Sequence, residues 1–379
     1  MSRLDELIAE LCPDGVEYKP LGSLITRVRE KGKDDTNIKQ VYVVSNTFGI
    51  VRTEDYHDEA IHSEDTSNYT IIRTGMFAYN PSRLNVGSLG LLTNEIDGLV
   101  SPMYVVFSVN SELDTHYLQY FLQSSYAKNR INSLKEEGAR FRFEFSRWNK
   151  LKIPVPPLEV QHEIVKILDH FIKFKTELTA ELTARQKQYE FYRDTLLTFD
   201  VHGGGTSKVQ WKTLGEIAKI KNGKTYKNIC SGEIPVYGSG GIMTYIGEYC
   251  YNKPSVLIPR KGSLSNLFYV DTPFWNVDTI FYTEIDEQQV VPKYLFYLLK
   301  KEHIERLNTA GGVPSLTQTV LNNISLAIPS ITVQKRIVNV LDNFEKICND
   351  LNIGLPAEIE ARQKQYEYYR DKLLTFKEK

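Results

Sequence analysis

Residues 184–199 read ARQKQYEFYRDTLLTF, and residues 361–376 read ARQKQYEYYRDKLLTF. Fourteen of the sixteen positions are identical, Phe191/Tyr368 and Thr195/Lys372 differ, and the copies stand 177 residues apart in a chain of 379. Chance does not produce such a match, so one unit is written twice. The copies extend upstream: Gln161, Ile164, Val165, Leu168, Asp169 and Phe171 recur, 173 residues later, as Gln334, Ile337, Val338, Leu341, Asp342 and Phe344. The second copy has therefore gained four residues, around Asn352-Ile-Gly-Leu-Pro-Ala, and Gly354 and Pro356 there are expected to interrupt a helix. In the first copy Ile164, Leu168, Phe171, Leu178, Leu182, Tyr189, Tyr192, Leu196 and Phe199 recur at helical spacing, a seam interrupted by Lys175 and Arg185. So narrow an apolar stripe needs a partner helix, and the second copy offers one through Leu341, Phe344, Tyr366, Tyr369, Leu373 and Phe376. A helix of roughly 40 residues would be about 60 Å long, more than a small domain is wide.

Composition places the chain among soluble globular proteins, with 25% charged and 41% hydrophobic residues. No apolar run approaches the length of a membrane span, and Asp5 and Glu6 stand where a signal peptide would have its apolar core, so a cytoplasmic protein with no membrane partner is expected. Cys12, Cys230, Cys250 and Cys348 are scattered without a CxxC pair, which indicates neither a disulfide framework nor a zinc site. Net charge is −1, but residues 126–152 and 208–227 each carry a local excess of five positive charges.

In chain order, Leu4, Leu7, Ile8 and Leu11 predict a short amphipathic helix ended by Pro13-Asp-Gly. Val16-Glu-Tyr-Lys-Pro-Leu-Gly is then echoed by Val209-Gln-Trp-Lys-Thr-Leu-Gly, so the repeat reaches into the globular parts. Between these starts and the helices the halves share little sequence. Strands are expected at 40–45, 75–80, 103–109, 255–259 and 279–283, with a short helix at 117–122 matching another at 294–299. Residues 201–208 read as a linker. The expected organisation is a domain at 1–157, a long helix at 158–200, a second domain at 201–330 and a second long helix at 331–379.

Catalytic motifs are missing. Val155-Pro-Pro-Leu lacks both the polar and the aromatic residue of an amino-methyltransferase loop and reads as the rigid entry to the helix. There is no GxxxxGK[ST], and Gly238-Ser-Gly-Gly reads as a turn rather than a nucleotide fingerprint. His57 and His62, among Asp55, Asp58 and Glu59, match no metal-ligand spacing and read as a solvated acidic loop.

The duplicated ARQKQYE-[FY]-YRD-x-LLTF, the Pro-x4-Gln entries to each helix (Pro156 to Gln161, Pro329 to Gln334) and the paired V-x-[YW]-K-x-LG starts resemble the specificity subunit of type I restriction–modification systems along the whole chain. The resemblance implies an α+β protein in which two mixed α/β target-recognition domains are separated by two long α-helices packed as an antiparallel coiled coil, an internal two-fold repeat. It implies double-stranded DNA as the ligand, each domain reading half of a split, asymmetric site. It also implies docking of two modification (methyltransferase) subunits, with restriction subunits completing the assembly. No cofactor is then expected in this chain, with S-adenosylmethionine in the methyltransferase and ATP and Mg²⁺ in the restriction subunit.

Arginine suits both phosphate contacts and bidentate reading of guanine. Lys135, Arg140, Arg142 and Arg147, around the basic and aromatic stretch Gly138-Ala-Arg-Phe-Arg-Phe, are the candidates in the first domain. Lys221, Asn222, Lys224, Arg260 and Lys261, next to turn glycines, are those in the second. The tyrosine-leucine stripes serve either as core of the helix pair or as partner docking, with Gln186, Gln188 and Arg193 on the outer face. Two other classes stay open: a DNA-modifying enzyme with unfamiliar motifs, and a coiled-coil scaffold carrying two domains for ligands other than DNA.

Overall fold

The computed structural model describes residues 2–56, 65–134, 141–199, 209–308, 312–349 and 354–379. Two compact units divide the chain, Met1–Glu177 with Ile359–Lys379, and Leu178–Glu358.

The first unit opens with α1 (Arg3–Leu11), capped by Ser2, whose hydroxyl accepts from the Asp5 amide while the Asp5 carboxylate reaches back. Leu4 is buried, Leu7 and Ile8 pack against the same core, and Leu11 is exposed. Strand β1 (Tyr18–Pro20) pairs antiparallel with β10 (Lys152–Pro154). An antiparallel sheet has the order β2 (Ile25–Val28), β9 (Val105–Val109), β6 (Phe77–Tyr79), β7 (Leu89–Leu91). A second sheet has the order β4 (Gly49–Arg52), β3 (Val41–Ser45), β8 (Gly98–Val100), β5 (Thr70–Ile72), with β3 and β8 parallel. Short helices α2 (Thr53–Tyr56), α3 (Thr115–Gln123) and α4 (Ser125–Ser133) complete the globular part. Its centre is aromatic: Phe77 stacks on Phe107 at 5.1 Å, and Tyr79 and Phe143 meet Trp148.

The second unit repeats this topology on another sequence. Strand β11 (Gln210–Thr213) pairs with β19 (Ser325–Ile328) as β1 pairs with β10. The antiparallel sheet is β12 (Ala218–Lys221), β18 (Ile280–Ile285), β15 (Ser255–Pro259), β16 (Phe268–Val270). The other sheet is β14 (Gly241–Ile246), β13 (Ser231–Gly238), β17 (Trp275–Asn276), again with one parallel pair. Helices α6 (Leu214–Ile217), α7 (Pro292–Lys301) and α8 (Gln318–Asn322) complete it. The frame is shared, but among the described residues the second mixed sheet has three strands where the first has four, lacking a counterpart of β5.

Residues at matching positions explain the shared frame. Gln161, fully buried, accepts from the Asp114 amide and donates to the carbonyls of Glu112 and Pro156. Gln334, equally buried, accepts from Val291 and donates to Gln289 and Pro329. A backbone group left unbonded away from water is costly, so one glutamine satisfying one buried and two part-buried groups fastens the helix to the domain. Tyr117 and Tyr294 donate to the carbonyls of Pro154 and Ala327 at 3.1 and 3.0 Å. Tyr120 and Tyr297 donate to Asp169 and Asp342, and burial followed by the carboxylate pushes both phenols up, keeping them protonated donors. The repeated LG also has a physical cause: a Cβ at Gly22 or Gly215 would press on Asn149 or Asn322.

The single helix α5 (Leu158–Leu196) is 39 residues long. The second copy forms two helices of 19 residues, α9 (Ile331–Asn349) and α10 (Leu355–Leu373), so the expected second long helix is broken, with Gly354 and Pro356 at the start of its second part. In the first unit Phe171 stacks on Tyr369 at 5.5 Å and Lys175 donates to Gln363 at 2.7 Å, so ascending positions on α5 meet descending ones on α10. In the second, Tyr192 stacks on Phe344 at 5.5 Å, and Tyr189 lies beside Glu345 and Cys348. Each unit therefore holds its own antiparallel helix contact. Lys175 does not interrupt the seam but spans it, whereas Arg185 turns back to Glu181 and Gln188 on its own helix.

Candidate nucleic-acid interface

In the second unit β12 and β15 both flank β18 antiparallel, so their C-terminal ends lie at one end of the sheet. Lys221 ends β12, and the loops that leave the two strands carry the other four candidates of this domain, Asn222, Lys224, Arg260 and Lys261. Lys224 receives the Trp275 indole N–H on its carbonyl and donates its amide to Asn276, both at 2.9 Å. A Cβ at Gly223 would lie 2.0 Å from the Val277 carbonyl oxygen, an approach only glycine permits. The amides of Arg260 and Lys261 both donate to Thr279. Asn222 accepts from Gln318 at 3.3 Å, and the Arg260 guanidinium sits over Phe281 at 5.9 Å. Lys221, Asn222, Lys224 and Lys261 are exposed, and the 3.7 Å contact of Lys221 with Glu284 is a surface pair worth little. Fixed backbone with unsequestered charge is what a polyanion needs.

The corresponding end of the first unit is a cleft of about 900 Å³. Arg27, at the end of β2, and Arg83, in the loop after β6, line it with Arg142, Asn46, Thr47, Asn80, Met103 and Glu144. Arg142 is exposed and ion-paired to Glu144. Arg147 lies elsewhere, its guanidinium donating to the Leu134 carbonyl. Lys135 and Arg140 fall outside the described residues, as do His57 and His62. Among the described residues no cluster of His, Cys, Asp and Glu could hold a metal ion, and no helix is long and apolar enough to cross a membrane.

A family model described as the type I restriction modification DNA specificity domain matches residues 13–187 and again 206–361. The chain belongs to that family. Its relatives include the Escherichia coli EcoR124I/EcoR124II specificity subunit, 34% identical over 297 residues, with 69% of this chain and 70% of the relative covered. A Haemophilus influenzae chain designated S.HindORF215P is 33% identical over 396 residues, covering 95% and 96%. Among solved structures, the type I restriction–modification S subunit from M. genitalium aligns with a TM-score of 0.57 at 18% identity over 95% of this chain and 96% of that one. A chain from a structure of type I system assembly aligns with a TM-score of 0.67 at 17% identity, covering 96% and 98%.

As a specificity-family chain it has two matched domain cores, and most of the helix positions singled out in the sequence contribute to them. Leu168, Phe171, Tyr366, Leu373 and Phe376 join the core of the first unit, with the Tyr366 hydroxyl bonded to Gln123 of α3. Leu182, Tyr189, Leu196, Phe199, Leu341 and Phe344 join that of the second. Leu178 is half-buried and outside both cores. The outer ring of each repeat is different. Phe191 is 64% exposed and braced edge-on by Tyr192, which stacks on Phe344; Tyr368 is 62% exposed and braced by Tyr369, which stacks on Phe171. Two equivalent aromatic triads, each with its outermost ring in solvent, come from the two copies.

Sequence reasoning missed Arg27 and Arg83. A search for dense basic runs passes over single arginines; the available signal was the turn Asn80-Pro-Ser-Arg directly after a short strand.

Proposed function

We propose that this chain is the DNA-recognition subunit of a type I restriction–modification assembly, itself non-catalytic, and that each domain reads one half of a bipartite asymmetric site with the loops at the β2/β6 and β12/β15 sheet ends. The observation that carries this is the same sheet end in both domains furnished with different polar side chains: Arg27, Asn80, Arg83 and Arg142 in one, Lys221, Asn222, Lys224, Arg260 and Lys261 in the other. One frame with two sets of contacts suits two unlike half-sites, since base edges differ in donor and acceptor pattern while phosphates do not. Modest net charge is compatible with this role, because partner subunits closing around the duplex add positive charge of their own.

The exposed rings of Phe191 and Tyr368 support docking of two copies of a methyltransferase subunit, one on each repeat, because aromatic side chains held rigid and apolar in solvent are the residues interfaces bury. S-adenosylmethionine belongs to that partner, and ATP and Mg²⁺ to the restriction subunit. The test is to express the chain with its methyltransferase in a host and map methylated adenines genome-wide. A single split motif is the expected result. Methylation by the lone chain given DNA, S-adenosylmethionine and Mg²⁺, or modification without a split motif, would end the reading.

A further inference from the structure

We propose that the hairpins beside the two sheet ends are wedges that enter the base stack of the bound duplex, through Phe48 in the first domain and Ile242 and Met243 in the second. This rests on the DNA-recognition reading and specifies how part of it is done. Phe48 is 71% exposed at the tip of the β3–β4 hairpin. The turn beneath it is held rigid, since the buried Ser45 hydroxyl accepts from the amides of Thr47 and Phe48 at 3.1 and 3.2 Å. Thr47 itself lines the cleft that holds Arg27, Arg83 and Arg142. Two further apolar side chains, each more than half exposed, belong to the same surroundings. Met103 lines the cleft and takes a long contact from the Asn80 amide, and Val86 precedes Gly87, where an added Cβ would come 3.5 Å from the Asn46 carbonyl oxygen. One exposed apolar residue on a surface needs no explanation, but three gathered about an arginine-lined cleft do.

The second domain repeats the arrangement with no shared sequence. The β13–β14 hairpin turns at Ser239-Gly240, and its turn is tied to the sheet end by the Ser239 amide on Thr279 and the Asn266 amide on Ser239. Immediately after it Ile242 and Met243 are half or more exposed. Val313, still more exposed, precedes Pro314 and Ser315, which bond to Gly262 and Lys261. Asn46-Thr-Phe-Gly and Ser239-Gly-Gly-Ile-Met share a left-handed glycine that opens the second strand, but the exposed apolar residue stands before that glycine in one (Phe48) and after it in the other (Ile242 and Met243), so descent from one ancestral residue does not account for the recurrence. Duplex DNA satisfies both halves of the surface: phosphates face the cations, and the faces of a parted base step cover the apolar tip. A protein partner with an apolar pocket would gain nothing from the surrounding arginines.

The test uses the complete assembly with its methyltransferase subunits and a duplex carrying the mapped site, with 2-aminopurine placed at successive positions of the half-site read by the first domain. Fluorescence should rise on binding at one position besides the adenine that the methyltransferase takes out of the stack. Phe48→Ala should abolish that rise and weaken binding roughly 10- to 100-fold, the range found when a stacking side chain is removed. The slope of log affinity against log salt should stay unchanged because no phosphate contact is lost. Phe48→Leu should recover most of the affinity, and Met243→Ala should act in the same way on the other half-site. Full-strength binding by both alanine variants with no fluorescent position in the parent assembly besides the methylated adenine would overturn the wedge and leave DNA recognition standing. So would a changed salt slope, or loss of methyltransferase subunits from the Phe48→Ala assembly. Failure of the parent assembly to bind its mapped site would instead remove the recognition reading itself.

Discussion

Deleting residues 177–180, one of two consecutive Glu-Leu-Thr-Ala units in α5, should shorten the non-specific spacer of the recognised site and leave both half-sites intact. Four residues remove about 6 Å of helix at 1.5 Å per residue. With base pairs 3.4 Å apart, the spacer should lose on the order of one or two base pairs. Folding should tolerate the change. Of the eight residues in the two units only Leu178 and Leu182 are half-buried, and Leu178 lies outside both cores, so the burial lost is worth about 1 kcal/mol at most. The local ion pairs are also conserved by the repeat. Lys173 faces Glu177 at 4.0 Å and Arg185 faces Glu181 at 2.8 Å, and after the deletion Glu181 stands four residues from both. The assay is genome-wide mapping of methylated adenines in a host expressing the deleted chain with its methyltransferase. Altered half-site bases around an unchanged spacer would refute the reasoning, because the helix would then not be what measures the gap.

The two buried glutamines should be equally important and independent. Gln161→Leu and Gln334→Leu each strand one buried and two part-buried backbone groups and should each cost about 2 kcal/mol. Chemical denaturation should show the two losses adding in the double variant, since the residues share no partner. Replacing Arg27 and Arg83 with Ala should weaken DNA binding and reduce the salt slope by about 0.9 for each phosphate contact removed; a salt titration with unchanged slope and affinity would take them out of the interface. As interface anchors, Phe191 and Tyr368 should each, when replaced by Ala, loosen one of two docked methyltransferase subunits by about 2 kcal/mol or more. Native mass spectrometry would reveal this as loss of one copy per variant and of both in the pair.

Periodicity carried the fold because the chain states it twice. Gln161, Asp169 and their matches at 334 and 342 recur in sequence, and each pair makes the same contact. The interruption at Gly354 and Pro356 was legible for the same local reason: backbone preference needs no neighbours to act. The interface was legible only where candidates are close in sequence. Lys221, Asn222 and Lys224 follow one another at the end of β12, yet their meeting with Arg260 and Lys261 depends on two parallel-running strands flanking β18. Arg27 and Arg83, 56 residues apart, become neighbours only because β2 and β6 both pair with β9.

By itself, the sequence determined the duplicated helix, its apolar stripe, its break and the family to which these belong, since all of them follow from spacing along a single chain. The tertiary structure alone decided that two domains of unlike sequence share one frame but for a strand, which arginines gather at a sheet end, and which apolar side chains stay in solvent beside them. Those outcomes depend on strand pairing between distant residues, and pairing is fixed by the burial of a whole sheet face rather than by any local pattern.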